Sequence, residues 1–253
     1  MRNWVDAVAD LPCARGLLPS SVLGLSSNFP AQPRKESIMR VVGAQHEFHD
    51  PAYAQDWADR FIPTPEREQL FNTIIQRLAE EPLPAPHVVE LGIGPGYLAE
   101  RVLERLPQVT YEGVDFSTAM LDLARHRLAD FGDRVRFTQV DLLDDNWIER
   151  VQRPVGAVIS TWALHDLGGE AQTAQVYRAC ARLLPPGGLL LNGDFVKPEE
   201  TSLPFEPGRF PVARHLELLQ AAGFARVDCL IYLEKEIQQP TSAQNYACMA
   251  AWR

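Results

Sequence analysis

Hydrophobic positions along the chain change period repeatedly, and the changes mark alternating helices and strands. Leu70, Phe71, Ile74, Ile75 and Leu78 recur at helical spacing. Thr64 and Pro65 open that segment as cap and first helical residue, and Glu66 and Glu68 suit its first turn. Pro82, Pro84 and Pro86 close it, and His87 to Leu91 then reads as a short buried strand. A glycine loop leads into a helical run from Tyr97 to Leu106. The pattern repeats: strand Val109 to Val114, a helix capped by Ser117 and running to about Ala129, strand Arg134 to Val140, and strand Val155 to Ser160. Helix Ala171 to Leu184 stops at Pro185-Pro186-Gly187-Gly188, and strand Leu189 to Asp194 follows. After an irregular stretch from Phe195 to Pro211 come helix His215 to Ala222 and strands Arg226 to Tyr232 and Tyr246 to Trp252.

Strands separated by helices of this length predict an α/β fold, a doubly wound, seven-stranded, mostly parallel, Rossmann-like sheet. The last two strands have only a polar connection, Leu233 to Asn245, between them, which predicts a C-terminal antiparallel hairpin at one sheet edge. In such sheets ligands bind beyond the carboxyl ends of the strands, where strand order reverses.

Residues 1–38 lack any sustained period and hold Pro12, Pro19, Pro30 and Pro33. They read as a disordered extension, or as a segment upstream of a start at Met39. Residues 39–82 read as an N-terminal helical lid or cap, and 83–253 as the ligand-binding domain.

Composition narrows the function. Among 253 residues, 46% are hydrophobic and 23% charged, an ordinary globular balance. The net charge of −9 disfavours a nucleic-acid partner, which needs clustered Lys and Arg. Cys13, Cys180, Cys229 and Cys248 lie far apart without metal-ligand spacing, so no metal is expected and a cytoplasmic location fits. No run of about 18 apolar residues offers a membrane span.

The chemistry-bearing residues cluster at the predicted strand ends. Glu90-Leu91-Gly92-Ile93-Gly94-Pro95-Gly96 lets the backbone turn tightly and approach a ligand. Its G-x-G-x-G spacing differs from the G-x-G-x-x-G of dinucleotide enzymes, and no Lys-Ser/Thr pair follows as in a triphosphate loop. With no base in the loop and Glu90 just before it, a cationic amine suits it better than a pyrophosphate. Asp115, at the end of the second strand, can accept both hydroxyls of a ribose, or serve only the helix that starts after it. Met120 can pad an adenine face or fill the core. Asp141 can accept from an exocyclic amine or act as a loop acid.

These residues resemble the class I S-adenosylmethionine-dependent methyltransferases over about Gln45 to Arg253. Val88 to Gly96 looks like their first motif, Asp115 like their ribose acid, Asp141-Leu142 like their adenine contact, and Pro185 to Gly188 like their Pro-Gly-Gly turn. The resemblance implies S-adenosyl-L-methionine as cofactor, held by Glu90, Gly92, Ile93, Gly94, Gly96, Asp115, Phe116, Asp141 and Leu142; Met120 and Thr161 are further candidates by position. It also places Ser160 to Leu167 beside the methyl group. There His165 is the candidate base, against a packing role, because its unperturbed pKa lies near neutrality. Trp162 is a candidate pocket wall or core residue, and Asp194 a candidate substrate contact. Tyr53 and Trp57 suit a lid over the substrate, as does the Phe195 to Pro211 stretch with Phe205 and Phe210. The implied function is methyl transfer to a small organic acceptor. The alternatives are a tRNA-base methyltransferase and a non-catalytic homologue that binds the same cofactor. Whether a homodimer forms is left open.

Overall fold

The computed structural model describes residues 46–61, 64–199, 201, 205–233 and 245–253. The readings of residues 1–38 and most of the Leu233 to Asn245 connection lie outside the described residues.

Thirteen longer elements build the sheet and its cover. They are α1 (Pro51–Asp59), α2 (Pro65–Glu80), β1 (His87–Leu91), α3 (Tyr97–Arg105), β2 (Thr110–Asp115), α4 (Thr118–Arg127) and β3 (Val135–Gln139). They continue as β4 (Ala157–Thr161), α5 (Glu170–Leu183), β5 (Leu189–Phe195), α6 (Val212–Ala221), β6 (Arg226–Leu233) and β7 (Tyr246–Trp252). The expected boundaries shift by a few residues, and α6 starts earlier because Pro211 serves as its N-cap position.

Seven strands form one sheet in the order β3-β2-β1-β4-β5-β7-β6. The first five are parallel, and β7 runs antiparallel between β5 and β6. The order reverses between β1 and β4, and their carboxyl ends therefore flank a crevice.

Side-chain alternation divides the core between the two faces. Val88, Ala157, Ile159, Leu189 and Leu191 pack with α2, α3 and α4. Val89, Leu91, Val158 and Leu190 pack with Val176, Tyr177 and Cys180 of α5 and Leu219 of α6. Both faces are buried, so after His87 β1 reads as an apolar run interrupted by Glu90. A carboxylate there needs a reason other than packing.

Caps explain where helices begin. The Thr64 side chain accepts from the Arg67 N–H, the Asp50 side chain from Tyr53 N–H, and Ser117 Oγ from Met120 N–H at 3.1 Å. Ser117 also donates to the Phe48 carbonyl, which ties the start of α4 to the segment before α1. Ala54 of α1 packs on Ala119 and Met120 of α4. The N-terminal segment thereby lies across the carboxyl end of the sheet.

Candidate functional site

Beyond β1 the chain must turn sharply, and three glycines take left-handed conformations: Gly92 at φ 66°, Gly94 at 51° and Gly96 at 84°. The amides of Gly92 and Ile93 both donate to the Val114 carbonyl, at 2.9 and 3.0 Å, fixing the loop to the end of β2. Gly113 leaves room for the Ile93 side chain. A Cβ there would lie 2.2 Å from Ile93 Cδ1. At Gly94, by contrast, nothing lies within 4 Å of the missing Cβ. That side of the loop faces a cavity of about 420 Å³ at the crevice.

Asp115 stands at the loop's far side. Its Oδ2 accepts the Gly94 N–H at 3.0 Å and its Oδ1 the Ser117 N–H at 2.9 Å. Each oxygen accepts one of these bonds and retains further acceptor capacity. Burial raises its pKa from 3.8 to about 6 against these hydrogen bonds. Glu90 is 1% exposed, and Tyr111 donates to its Oε2 at 2.6 Å. Burial pushes Glu90 up to about 8; the Tyr111 bond opposes this and the nearby Asp115 charge adds to it. Two buried carboxyls thus border one cavity, with His49 nearby lowering the Asp115 pKa only in part. Such a pair fits a cationic ligand with adjacent hydroxyls.

Phe116, Met120, Val140, Asp141 and Leu142 form an apolar slot beside Asp115. One Asp141 oxygen accepts the Leu143 N–H at 2.9 Å, so Asp141 shapes its own turn as well as the slot. Met120 is 3% exposed, and it both pads the cavity and packs against α1.

The third part of the wall follows β4. Thr161, Trp162, Ala163, His165 and Asp166 line the cavity. Trp162 holds φ 50°, a left-handed value uncommon for a bulky residue, and its backbone N–H donates to the Gly193 carbonyl at 3.0 Å. His165 Nδ1 lies 2.7 Å from Asp194 Oδ1, and its Nε2 lies 3.2 Å from Asp166 Oδ1. Burial opposes charge on this ring, but the two carboxylates outweigh it and the His165 pKa is raised. Asp194 Oδ2 also accepts the Leu164 and His165 amides, both at 3.1 Å.

Asp194 departs from its expected place. It is fully buried, its oxygens accept from the Leu164 and His165 amides and meet the His165 ring, and it is absent from the cavity lining. Gly96 begins α3 and packs against Leu128 and Ala124 instead of facing the cavity. Tyr53 also stands off the wall, its ring beside Phe48, while Trp57 lines it. Of the stretch expected as a cover, Phe195 lines the cavity, whereas Phe210 is buried against His215, with ring centroids 4.0 Å apart. A Cβ at Gly208 would sit 1.7 Å from the His165 carbonyl oxygen, so this stretch buttresses His165 from behind.

Several lining residues had no place among the expected site residues: Phe48, Phe61, Arg67, Phe71 and Asp166. Two carried signals. Asp166 adjoins His165 at a strand end. Arg67 puts a cation in the first turn of α2, where the helix dipole favours acids.

A sequence family described as "Methyltransferase domain" matches residues 88–188, the stretch from the glycine loop to the turn before β5. Residues 88–188 are thus similar to a methyltransferase domain. Among similar proteins, trans-aconitate 2-methyltransferase of Acidovorax sp. strain JS42 is 38% identical over 117 residues, covering 46% of this chain and 41% of that protein. Release factor glutamine methyltransferase of Chlorobaculum tepidum is 31% identical over 104 residues, 39% of this chain and 35% of that one. The chain therefore matches less than half the length of these curated relatives. An O-methyltransferase family protein from Burkholderia thailandensis shares the fold, with TM-score 0.60 at 23% identity over 81% of this chain and 60% of that one. In this chain the crevice at the strand-order reversal and the acid-lined cavity coincide.

Proposed function

We propose that the protein transfers a methyl group from S-adenosylmethionine to a small organic acceptor. One observation carries the reading: Glu90, Gly94 and Asp115 converge on one cavity at the strand-order reversal. Glu90 meets the amino group of the cofactor's methionine part, Asp115 the ribose hydroxyls, and Phe116, Met120, Asp141 and Leu142 the adenine. The open side of Gly94 leaves room for the chain joining them. The cofactor supplies an activated methyl on a sulfonium.

The protein's part is positioning and proton handling. Holding the acceptor in line beside Thr161 and Trp162 can lower the barrier by roughly 7–11 kcal/mol. For a hydroxyl or amine acceptor, removing its proton adds a factor of about 10²–10⁴. The Asp194–His165–Asp166 chain is suited to take that proton, with Asp194 positioning the ring and Asp166 at the end nearer solvent. Burial also raises the Asp166 pKa, against the attraction of His165, so this carboxylate holds a proton more readily than a free one.

Phe48, Trp57 and Phe61, from residues 46–61, roof the cavity and suit a lid that excludes water. The acceptors named for relatives range from trans-aconitate to a release-factor glutamine, so the acceptor class rests on this chain's own lining. That lining is rich in aromatic side chains and enclosed by the N-terminal segment, which suits a small molecule better than a nucleic acid. Among the described residues no helix is long and apolar enough to cross a membrane. A cytoplasmic setting agrees with Cys180, Cys229 and Cys248 being free thiols.

Calorimetry tests the reading. S-adenosylmethionine and S-adenosylhomocysteine should bind and NAD should not. Labelled methyl should then pass to small molecules of a cell extract, before and after nuclease treatment alike. Binding of NAD alone, or label entering only nuclease-sensitive material, would overturn it.

A further inference from the structure

We infer that Asp166, through its Oδ2, is the catalytic base of the transfer, that His165 is a positioning residue, and that the acceptor is a neutral hydroxyl compound. This rests on the methyltransferase reading and adds the reacting group and the acceptor class to it. His165 is held at both ring nitrogens. Asp194 Oδ1 lies 2.7 Å from Nδ1, and the Asp194 carboxylate otherwise accepts from the backbone amides of Leu164, His165 and Phe195. Its oxygens are acceptors throughout, so Nδ1 carries a proton. Asp166 Oδ1 lies 3.2 Å from Nε2. An imidazole lone pair there would face a carboxylate oxygen, so Nε2 carries a proton as well.

In a histidine base one ring nitrogen is protonated toward a carboxylate and the other keeps a free lone pair for the substrate. Here a second carboxylate takes the place of that substrate. The ring is also buried, with Phe195 packed against it at 4.8 Å between centroids. Asp166 is the opposite case. Its side chain is 41% exposed and lines the cavity. Among the described residues its Oδ1 meets His165, and no donor engages its Oδ2. The charges around it are those of His165, Asp194, Arg209 and His46. Burial and the Asp194 charge raise its pKa above the usual carboxylate value against the three cations, which makes it a stronger base than a free aspartate.

A base in this position selects the acceptor. An amine attacks through a lone pair it already has, and a carboxylate has no proton to lose. A hydroxyl, by contrast, gains nucleophilicity as its proton leaves. A carboxylate acceptor would also be repelled by the Asp166 charge. In the transfer the acceptor oxygen bonds the methyl carbon, and the methyl–sulfur bond breaks with its electron pair left on sulfur. The hydroxyl proton passes to Asp166 Oδ2 and leaves for solvent from the exposed side of that carboxylate. His165 keeps its charge throughout; it holds Oδ1 and leaves Oδ2 for the acceptor.

The test begins with the unaltered protein saturated with S-adenosylhomocysteine. Nitrogen NMR at pH 7 should show both His165 ring nitrogens protonated, and Asp166→Asn should bring deprotonation of the ring to lower pH. Labelled methyl passed from S-adenosylmethionine to the small molecules of a cell extract should survive mild alkali, which cleaves methyl esters. Hydriodic acid should then release it as methyl iodide, the mark of a methyl ether. Asp166→Asn should lower the initial rate about a hundred-fold or more and abolish its rise with pH, and Asp166→Glu should restore part of both. His165→Gln should lose less rate than Asp166→Asn and keep the rise, shifted to higher pH because a cation beside Asp166 is gone. S-adenosylhomocysteine binding by each variant checks that it is folded. A lone pair on His165 Nε2 at pH 7, an ester, N-methyl or C-methyl product, or a folded Asp166→Asn variant at full rate would overturn the inference. Failure of S-adenosylhomocysteine to bind the unaltered protein, or of label to leave S-adenosylmethionine, would instead overturn the methyltransferase reading.

Discussion

Glu90 makes cofactor binding a proton-linked event. Its pKa is pushed up to about 8 by burial, so at pH 7 about nine in ten molecules carry it protonated. Only the carboxylate form can pair with the cofactor's ammonium, so binding must expel that proton. The apparent association constant should therefore rise with pH toward 8 and level off above it. Between pH 6 and pH 8 the gain from Glu90 alone is about fifty-fold, or ~2.3 kcal/mol. Asp115, with a pKa of about 6, adds to the loss only at the acid end of this range. The assay is calorimetric titration with S-adenosylhomocysteine at pH 7 in buffers of different ionisation enthalpy. The expected result is release of close to one proton per cofactor, and almost none in Glu90→Gln. That variant should also lose the rise in affinity with pH. A flat affinity profile in the unaltered protein, or the same proton release in Glu90→Gln, would refute the reasoning. The sign for stability is opposite. The folded pKa lies above the unfolded value near 4.5, so the native state holds the extra proton, and ligand-free stability should fall as pH rises from about 4.5 to 8.

Other perturbations separate the site's parts. Asp115→Ala should cost roughly ten- to a hundred-fold in cofactor affinity by calorimetry, since it removes an acceptor for the ribose hydroxyls, whereas His165→Ala should keep cofactor binding. Gly113→Ala should lower stability by about 1–3 kcal/mol in denaturant melts, because the new Cβ meets Ile93 at 2.2 Å. Gly94→Ala meets no neighbour and should cost about 1–2 kcal/mol through its φ of 51° alone, with a further loss of cofactor affinity that Gly113→Ala need not show. Nitrogen NMR of His165 should show a doubly protonated ring persisting above the usual histidine pKa, and Asp194→Asn should bring its deprotonation to lower pH. A neutral His165 at pH 6 would contradict the two-carboxylate clamp.

Local chemistry explains what the sequence disclosed. The order β1, glycine loop, α3 follows from an apolar run, residues tolerant of positive φ and a helical repeat, all adjacent in the chain. Likewise Asp115 and Asp141 are legible because each ends a strand, and strand ends in a doubly wound sheet share one side. What stayed hidden depends on distant packing. Asp194 and His165 are 29 positions apart, and only the β4–β5 pairing turns that carboxylate onto the ring and away from the cavity. The same is true of Phe210, whose ring finds His215 and not the crevice. Gly208 against His165, and Tyr111 against Glu90, are contacts that no local period encodes. Arg60 and Arg67 reach one cavity only because α1 and α2 lie across the sheet's carboxyl end.

A crystal structure with S-adenosylhomocysteine bound tests the central claim most directly. The account predicts both ribose hydroxyls within hydrogen-bond distance of the Asp115 carboxylate, the amino group at Glu90, and the chain between them passing over Gly94. Ligand density elsewhere, or in the crevice with Asp115 and Glu90 turned from it, would contradict the account.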